Sequence, residues 1–329
     1  MTRKILLLLI VTSLLAIILS ACAPASKPKV ALMLARGGLG DKAFNDSANE
    51  GLQKAAQELG ADVMTFDYQQ DAQEGNVRAA AEAGYGLVIG LGSENSAAIA
   101  TVAAEFPEAR FAIVDATAEG ANVTSVTFSE LEGDFLAGAL AALMSADGKV
   151  GYLGGADVMV IRRIQFGFEL GVKYVSPEAE IDVKYITGKD DFSGFAKPDE
   201  AQAIAAQMYA DGVSIVYAAA GGSTLGAIEA AKSATRPIVT TGSDQRWIAP
   251  DVVVTSRTKN MDQAVFQLIQ SFAQGKLSAG VITLDYKSGG IGLAPISDGL
   301  VSAEILAKFE QIRSDLEAGK ITLQPYTGN

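Results

Sequence analysis

The chain has 329 residues, with 26 Lys and Arg against 38 Asp and Glu, no histidine and a single cysteine. The acidic balance excludes nucleic acid as a partner, because phosphates need a positive footprint. Without imidazole, and with Cys22 as the only thiol, the commonest general base, the triad imidazole and thiol catalysis are all missing. No Gly-x-Ser-x-Gly elbow and no Gly-x4-Gly-Lys phosphate loop occurs either, so the chain is expected to be no enzyme and to need no cofactor or metal.

Met1 to Lys4 form a positive patch, followed by the apolar run Ile5 to Leu19 and the small residues Ser20 and Ala21. Residues 1–21 read as a secretory signal peptide, since the run falls short of the roughly 20 apolar residues that a membrane-spanning helix needs. Leu19-Ser20-Ala21-Cys22 resembles the bacterial lipobox, which implies acylation of Cys22 and a membrane anchor through that lipid. Residues 22–28, with Pro24 and Pro28, read as a tether. The remaining chain carries 24 basic against 38 acidic side chains and is long enough for two cores.

From Lys29 onward, short apolar runs alternate with segments of helical period, the pattern of βα units on parallel sheets. Strands are expected at 29–34, 61–66, 86–91, 111–115 and 123–128, with helices near 44–59, 73–83, 95–105 and 130–146. A second series follows: strands at 149–153, 181–186, 214–219 and 237–241, with helices near 161–175, 199–211 and 224–234. Asn122-Val123-Thr124-Ser125-Val126-Thr127 matches Val252-Val253-Val254-Thr255-Ser256-Arg257-Thr258, which precedes a helix at 260–275. If the two strings are equivalent crossover strands, the chain leaves a first lobe near 128, returns near 256 and crosses again around 289. The expected architecture is therefore α/β, two doubly wound parallel-sheet lobes joined by a three-stranded hinge. Lobe 1 would comprise 29–128 and 256–288, and lobe 2 would comprise 129–255 and 289–329.

Ligands of open α/β sheets bind at the carboxyl ends of the strands. Five places qualify here. Gly37 to Asp46 joins the first strand to the first helix, with Phe44 beside Asn45 and Asp46; it reads either as a ligand loop or as a plain helix start. The others are Asp115, the pair Phe192 and Phe195, Gly221-Gly222-Ser223, and Asp244-Gln245-Arg246-Trp247. An aromatic face next to hydrogen-bonding groups suits a planar heterocycle.

The segments Gly40 to Asp46, Gly133 to Gly138, Gly148 to Gly155, Gly167 to Val172 and Asp244 to Pro250, in that order, resemble the basic membrane lipoprotein (Bmp, PnrA-like) family of purine-nucleoside receptors, within the type I periplasmic binding proteins. The resemblance implies a Phe44 and Phe192 clamp on the base, with Asn45, Asp46, Asp115, Asp244 and Lys259 around the ligand and Gly221 or Gly222 giving backbone access. It also implies an ABC permease and its ATPase as partners; the receptor is expected to be a monomer. Ala35 stands where the family commonly has Asp, and Thr241 to Gln245 departs from the family's Gly-x-Asp-x-Asp-Gln, which leaves fewer acceptors for ribose hydroxyls. A ligand-sensing partner of a membrane signalling protein and an anchored carboxylate-dependent nucleoside hydrolase are the alternatives.

Overall fold

The structure, a computed structural model, describes residues 27–328. The expected signal segment and Cys22 lie outside these residues. The first half of the chain runs β1 (Lys29–Met33), α1 (Phe44–Leu59), β2 (Asp62–Phe66), α2 (Gln73–Glu82), β3 (Leu87–Leu91), α3 (Ser96–Glu105), β4 (Arg110–Val114) and β5 (Val123–Phe128). It continues through α4 (Leu131–Met144), β6 (Lys149–Asp157), α5 (Met159–Val175), β7 (Glu180–Lys189), α6 (Pro198–Ala210), β8 (Ile215–Ala219), α7 (Thr224–Ala234), β9 (Ile238–Gly242) and β10 (Val253–Lys259). The last elements are α8 (Met261–Ala273), β11 (Gly280–Leu284), β12 (Ile291–Leu293) and α9 (Ala303–Glu317).

Two six-stranded sheets result, ordered β11-β5-β4-β3-β1-β2 and β12-β10-β9-β8-β6-β7. All pairs are parallel except β10 with β12. Helices cover both faces of each sheet, so the central strands β3 and β8 are buried at every residue, and their unbroken apolar sequences follow from that. Each sheet thus has two cores, one per face.

Two of the sequence segments that resemble the family serve helix packing. A Cβ on Gly138 of α4 would stand 2.0 Å from the Phe168 carbonyl oxygen, and one on Gly171 of α5 would stand 1.9 Å from that of Phe135. The two glycines face each other's helix and let the backbones touch. Overpacking such a contact costs about 1–3 kcal/mol.

The chain passes between the sheets at Ser129–Glu130, at Asn260 and through 285–290. These crossings bond to one another: Ser129 N donates to Leu284 O (2.7 Å), Asn260 N to Gly290 O (2.9 Å) and Asn260 Nδ2 to Gly289 O (2.5 Å). The return falls at Asn260 rather than at 256, because β10 stays paired with β9 as far as Thr258 and with β12 as far as Lys259. Three elements have no counterpart in the sequence reading. Strand β11 is largely exposed, β12 has three residues, and α9 buries only Phe309 and Leu316, so none carries a strong apolar period.

Candidate functional site

A cavity of about 130 Å³ lies between the carboxyl ends of the two sheets, with the opening loop of the first lobe on one side. That loop is held by its own carboxylates. Asp41, buried, accepts from the backbone N–H of Ala43 (2.9 Å), Asn45 (2.8 Å) and Asp46 (3.2 Å), and from Asn45 Nδ2 (3.0 Å). Asp46 accepts from Gly40 N (2.7 Å) and Lys42 N (2.9 Å). Asn45 Oδ1 in turn accepts from Ala35 N (2.8 Å). Asp41 therefore satisfies free N–H groups at the start of α1, where Ala43 offers no cap, and Asp46 ties the loop before the helix back onto it. The result is a fixed position for Phe44, which faces the cavity. Burial pushes the Asp41 carboxyl up, against those backbone donors.

Opposite Phe44, the 3-10 turn Phe192–Ala196 that follows β7 brings both Phe192 and Phe195 to the cavity, their ring centroids 6.2 Å apart. Val160, Ile161 and Ile164, from the first turns of α5, extend this apolar wall.

The polar wall is built on strand ends. Asp115, just beyond β4, has φ of 67°, a left-handed backbone that few non-glycine residues adopt. Lys259, the last residue of β10, donates from Nζ to Asp115 and to Glu130, both at 2.7 Å, and lies 5.1 Å from the centre of the Phe128 ring. Arg163 reaches Glu130 at 3.6 Å. Burial and the neighbouring Glu130 push Asp115 up despite Lys259. Glu130 is equally buried, yet Lys259, Arg163 and Arg257 together hold it below its usual value. One lysine thus links the first lobe, a crossing and the second sheet.

Two residues earlier on β10, Arg257 also lines the cavity. Its Nε donates to Asp134 Oδ1 of α4 (2.7 Å), which also accepts from Tyr217 Oη (2.5 Å). Burial, working against Arg257 and Tyr217, pushes Asp134 up to about 6. On the first-lobe side, Glu94 follows β3; its Oε1 accepts from Arg36 N (2.7 Å), and burial pushes its carboxyl up. The Arg36 guanidinium lies over the Tyr68 ring, 4.6 Å from its centre.

Seven of the nine residues singled out from the sequence line this cavity: Phe44, Asn45, Asp115, Phe192, Gly221, Gly222 and Lys259. Asp46 and Asp244 do not. Asp46 is spent on the loop backbone, and Asp244 turns to Arg246, its neighbour two residues on, with bonds of 2.9 and 2.6 Å. Thr241 and Gly242 occupy the place expected of Asp244. Sequence reasoning missed Asp41, Glu94 and Arg257. Glu94 obeys the strand-end rule that singled out Asp115, and Arg257 is a charge inside an otherwise neutral strand string; both signals were available.

The lobes touch at the mouth, where Ser243 Oγ (2.6 Å) and Gln245 Nε2 (3.2 Å) donate to Lys42 O. Two doubly wound lobes meeting over a cavity, with three crossings beside it, define a two-lobed solute-binding protein. The family model described as ABC transporter substrate-binding protein PnrA-like (Bmp) matches residues 28–318, and the chain belongs to that family. It is thus a substrate-binding protein of the ABC transporter type, with a small-molecule ligand and a permease partner, and its family is one of binding proteins and not of enzymes. The CD4+ T-cell-stimulating antigen of Listeria monocytogenes is 34% identical over 93% of this chain and 94% of that protein. The ABC transporter nucleoside-binding protein BmpA of Lactococcus lactis is 30% identical over 90% of this chain and 88% of that one. Among solved structures, the ABC transporter solute-binding protein from Aeropyrum pernix K1 superposes with a TM-score of 0.82 at 26% identity, covering 91% of this chain and 94% of that chain.

Proposed function

We propose that this protein is an exported receptor, anchored through lipid on Cys22, that captures a purine nucleoside and delivers it to an ABC permease and its ATPase. The observation that carries the reading is the cavity itself, with Phe44 from one lobe, Phe192 from the other, and the Asp115, Lys259 and Glu130 triad at its edge. The name of the Lactococcus lactis relative points to the same ligand class. In this reading the base stacks between the two rings, where its planar faces replace water. Asp115 and Lys259 already bond each other, so together they present an acceptor and a donor at fixed positions for ligand hydroxyls. Gly221 and Gly222 leave room for backbone approach, and Asn45 and Asp46 act by holding Phe44 rather than by touching ligand.

Closure is a motion about the crossings at 129–130, 260 and 285–290, which divide the chain into its two lobes. Ligand holds the closed form in proportion to its preference for that form over the open one. The first twenty-two residues support the anchor, and among the described residues no helix is long and apolar enough to cross a membrane.

Calorimetry with adenosine, guanosine, inosine and the free bases tests the ligand class. Binding of a nucleoside at micromolar concentration or below is expected; silence from all of them at high micromolar concentration rejects the nucleoside and leaves the receptor class intact. Cys22→Ser is expected to move the protein from the membrane fraction to the soluble one, and retention on the membrane would reject the lipid anchor.

A further inference from the structure

The hydrogen bonds of Arg257 show what kind of atom the cavity awaits. Its side chain is 1% exposed, enters from β10 and lines the cavity, yet among the described residues only Nε has a partner; Nη1 is buried and bonds to nothing, and Nη2, equally without a partner, is the nitrogen left open to the cavity. An Arg and a carboxylate this close ordinarily meet through two parallel bonds. Here Asp134 takes Nε alone, shares that oxygen with Tyr217 and leaves Oδ2 without a partner. A buried guanidinium N–H without an acceptor is costly, and an acceptor brought by the ligand removes that cost.

The charges around the cavity decide the chemistry of that acceptor. Lys259 is matched by Asp115 and Glu130, and Arg257 by Asp134; of the remaining charges in the lining, Arg36 stands near Glu94 and is held over Tyr68, and Asp41 adds a further carboxyl. A phosphate or carboxylate on the ligand would join five carboxyls, Asp41, Glu94, Asp115, Glu130 and Asp134, that already outnumber the four cations Arg36, Arg163, Arg257 and Lys259. A neutral carbonyl oxygen brings an acceptor without that repulsion. The guanidinium is tied to the apolar side of the cavity: its partner Asp134 packs against Gly167 of α5, the helix that supplies Val160, Ile161 and Ile164 to the lining.

We infer that Arg257 is a specificity-determining residue that reads a ring carbonyl oxygen, so that the receptor prefers 6-oxopurine nucleosides to 6-aminopurine ones. The inference rests on the nucleoside reading above and narrows it. An exocyclic amino group at the same position would set donor against donor, and a site built to bond a group rejects the analogue without it.

Calorimetry on the intact wild-type receptor, comparing inosine with purine ribonucleoside, which lacks the C6 oxygen, and with adenosine, reads the effect directly. Inosine is expected to bind about 10- to 100-fold more tightly than either. In the Asp134→Asn/Arg257→Met double variant, which removes both partners of the ion pair, the three ligands are expected to bind within about twofold of one another, retaining what stacking supplies. Arg257→Lys keeps a charge opposite Asp134 and removes the fork, so its ratio decides the point where the double variant does not fold; a reduced ratio is expected. Loss of packing alone would weaken all three ligands together and leave the ratio unchanged. Equal binding of inosine and purine ribonucleoside by the wild type overturns the inference and spares the nucleoside reading. A preference that survives in the variants overturns it as well. Binding of no nucleoside overturns both.

Discussion

Strands β5 and β10 hold the same place in their sheets, each second from the edge beside a late-arriving strand, and they carry related strings. Thr124-Ser125-Val126-Thr127-Phe128 in the first corresponds to Thr255-Ser256-Arg257-Thr258-Lys259 in the second. The threonines do the same work: Thr124 Oγ1 donates to Ser278 O (2.8 Å) beside β11, and Thr255 Oγ1 to Ala294 O (2.6 Å) beside β12. The serines also match. Ser125 Oγ accepts from Ala118 N (3.1 Å) and Ser256 Oγ from Gln245 N (3.0 Å), each fixing the loop that leaves the preceding strand. The difference is confined to the inward positions, where Val126 and Phe128 in the first lobe face Arg257 and Lys259 in the second, all at 5% exposure or less.

Two buried cations require buried acids. Glu130, Asp134 and Asp115 supply them, and two of the three sit at or just after the first crossing. The same strand can therefore serve as plain core in one lobe and as the charged wall of a cavity in the other, provided that the helix and loops opposite it change with it.

The largest expected effect comes from making β10 resemble β5. Lys259→Met leaves Asp115 and Glu130 buried without their cation and should cost about 3–5 kcal/mol in urea denaturation. A loss below about 1 kcal/mol would mean that Arg163 alone balances both acids.

The second concerns Asp134. Its pKa, about 6 in the folded protein against an ordinary 3.8, means that the folded state holds this proton more tightly than the unfolded one. The stabilisation linked to that proton is present below about pH 4 and is lost as pH rises through 6. Relative to Asp134→Asn, the wild type should lose up to about 3 kcal/mol between pH 4 and 7. Stability of the two proteins measured at both pH values gives the sign, and a relative gain for the wild type would show that Arg257 outweighs burial.

In the proposed reading the first lobe holds the base through Phe44 of its opening loop. Phe44→Ala should weaken nucleoside binding about 10- to 100-fold with a smaller effect on stability, as read by calorimetry and melting. The smallest effect is expected outside both strands. Asp244→Ala breaks a partly exposed pair with Arg246 and should change stability by less than about 1 kcal/mol and leave affinity unaltered. A clear loss of affinity would return Asp244 to the site.

The order of the βα units and the duplicated string were legible in the sequence, and most of the residues singled out there line the cavity, because buried parallel strands write continuous apolar runs and ligand loops follow their ends. Asp46 and Asp244 do not line the cavity and bond their own loops, a use equally open to a carboxylate near a strand end. Only hydrogen-bond partners separate the two uses, and those depend on backbone geometry. Strands β11 and β12 and helix α9 escaped for a related reason, since their places come from neighbours already folded and not from a strong period of their own.

Composition and pattern alone settle that this chain is acidic, lacks histidine, and alternates strands and helices in two series, because composition is a sum over the sequence and each strand or helix writes its own short-range pattern. The duplicated string even marks where the chain changes lobes. Which acid answers which cation was decided only by the tertiary structure. Asp115 and Lys259 are 144 positions apart, and Asp134 and Arg257 are 123. Electrostatic balance in a buried cavity depends on distance in space, and no short-range pattern in a sequence records that distance.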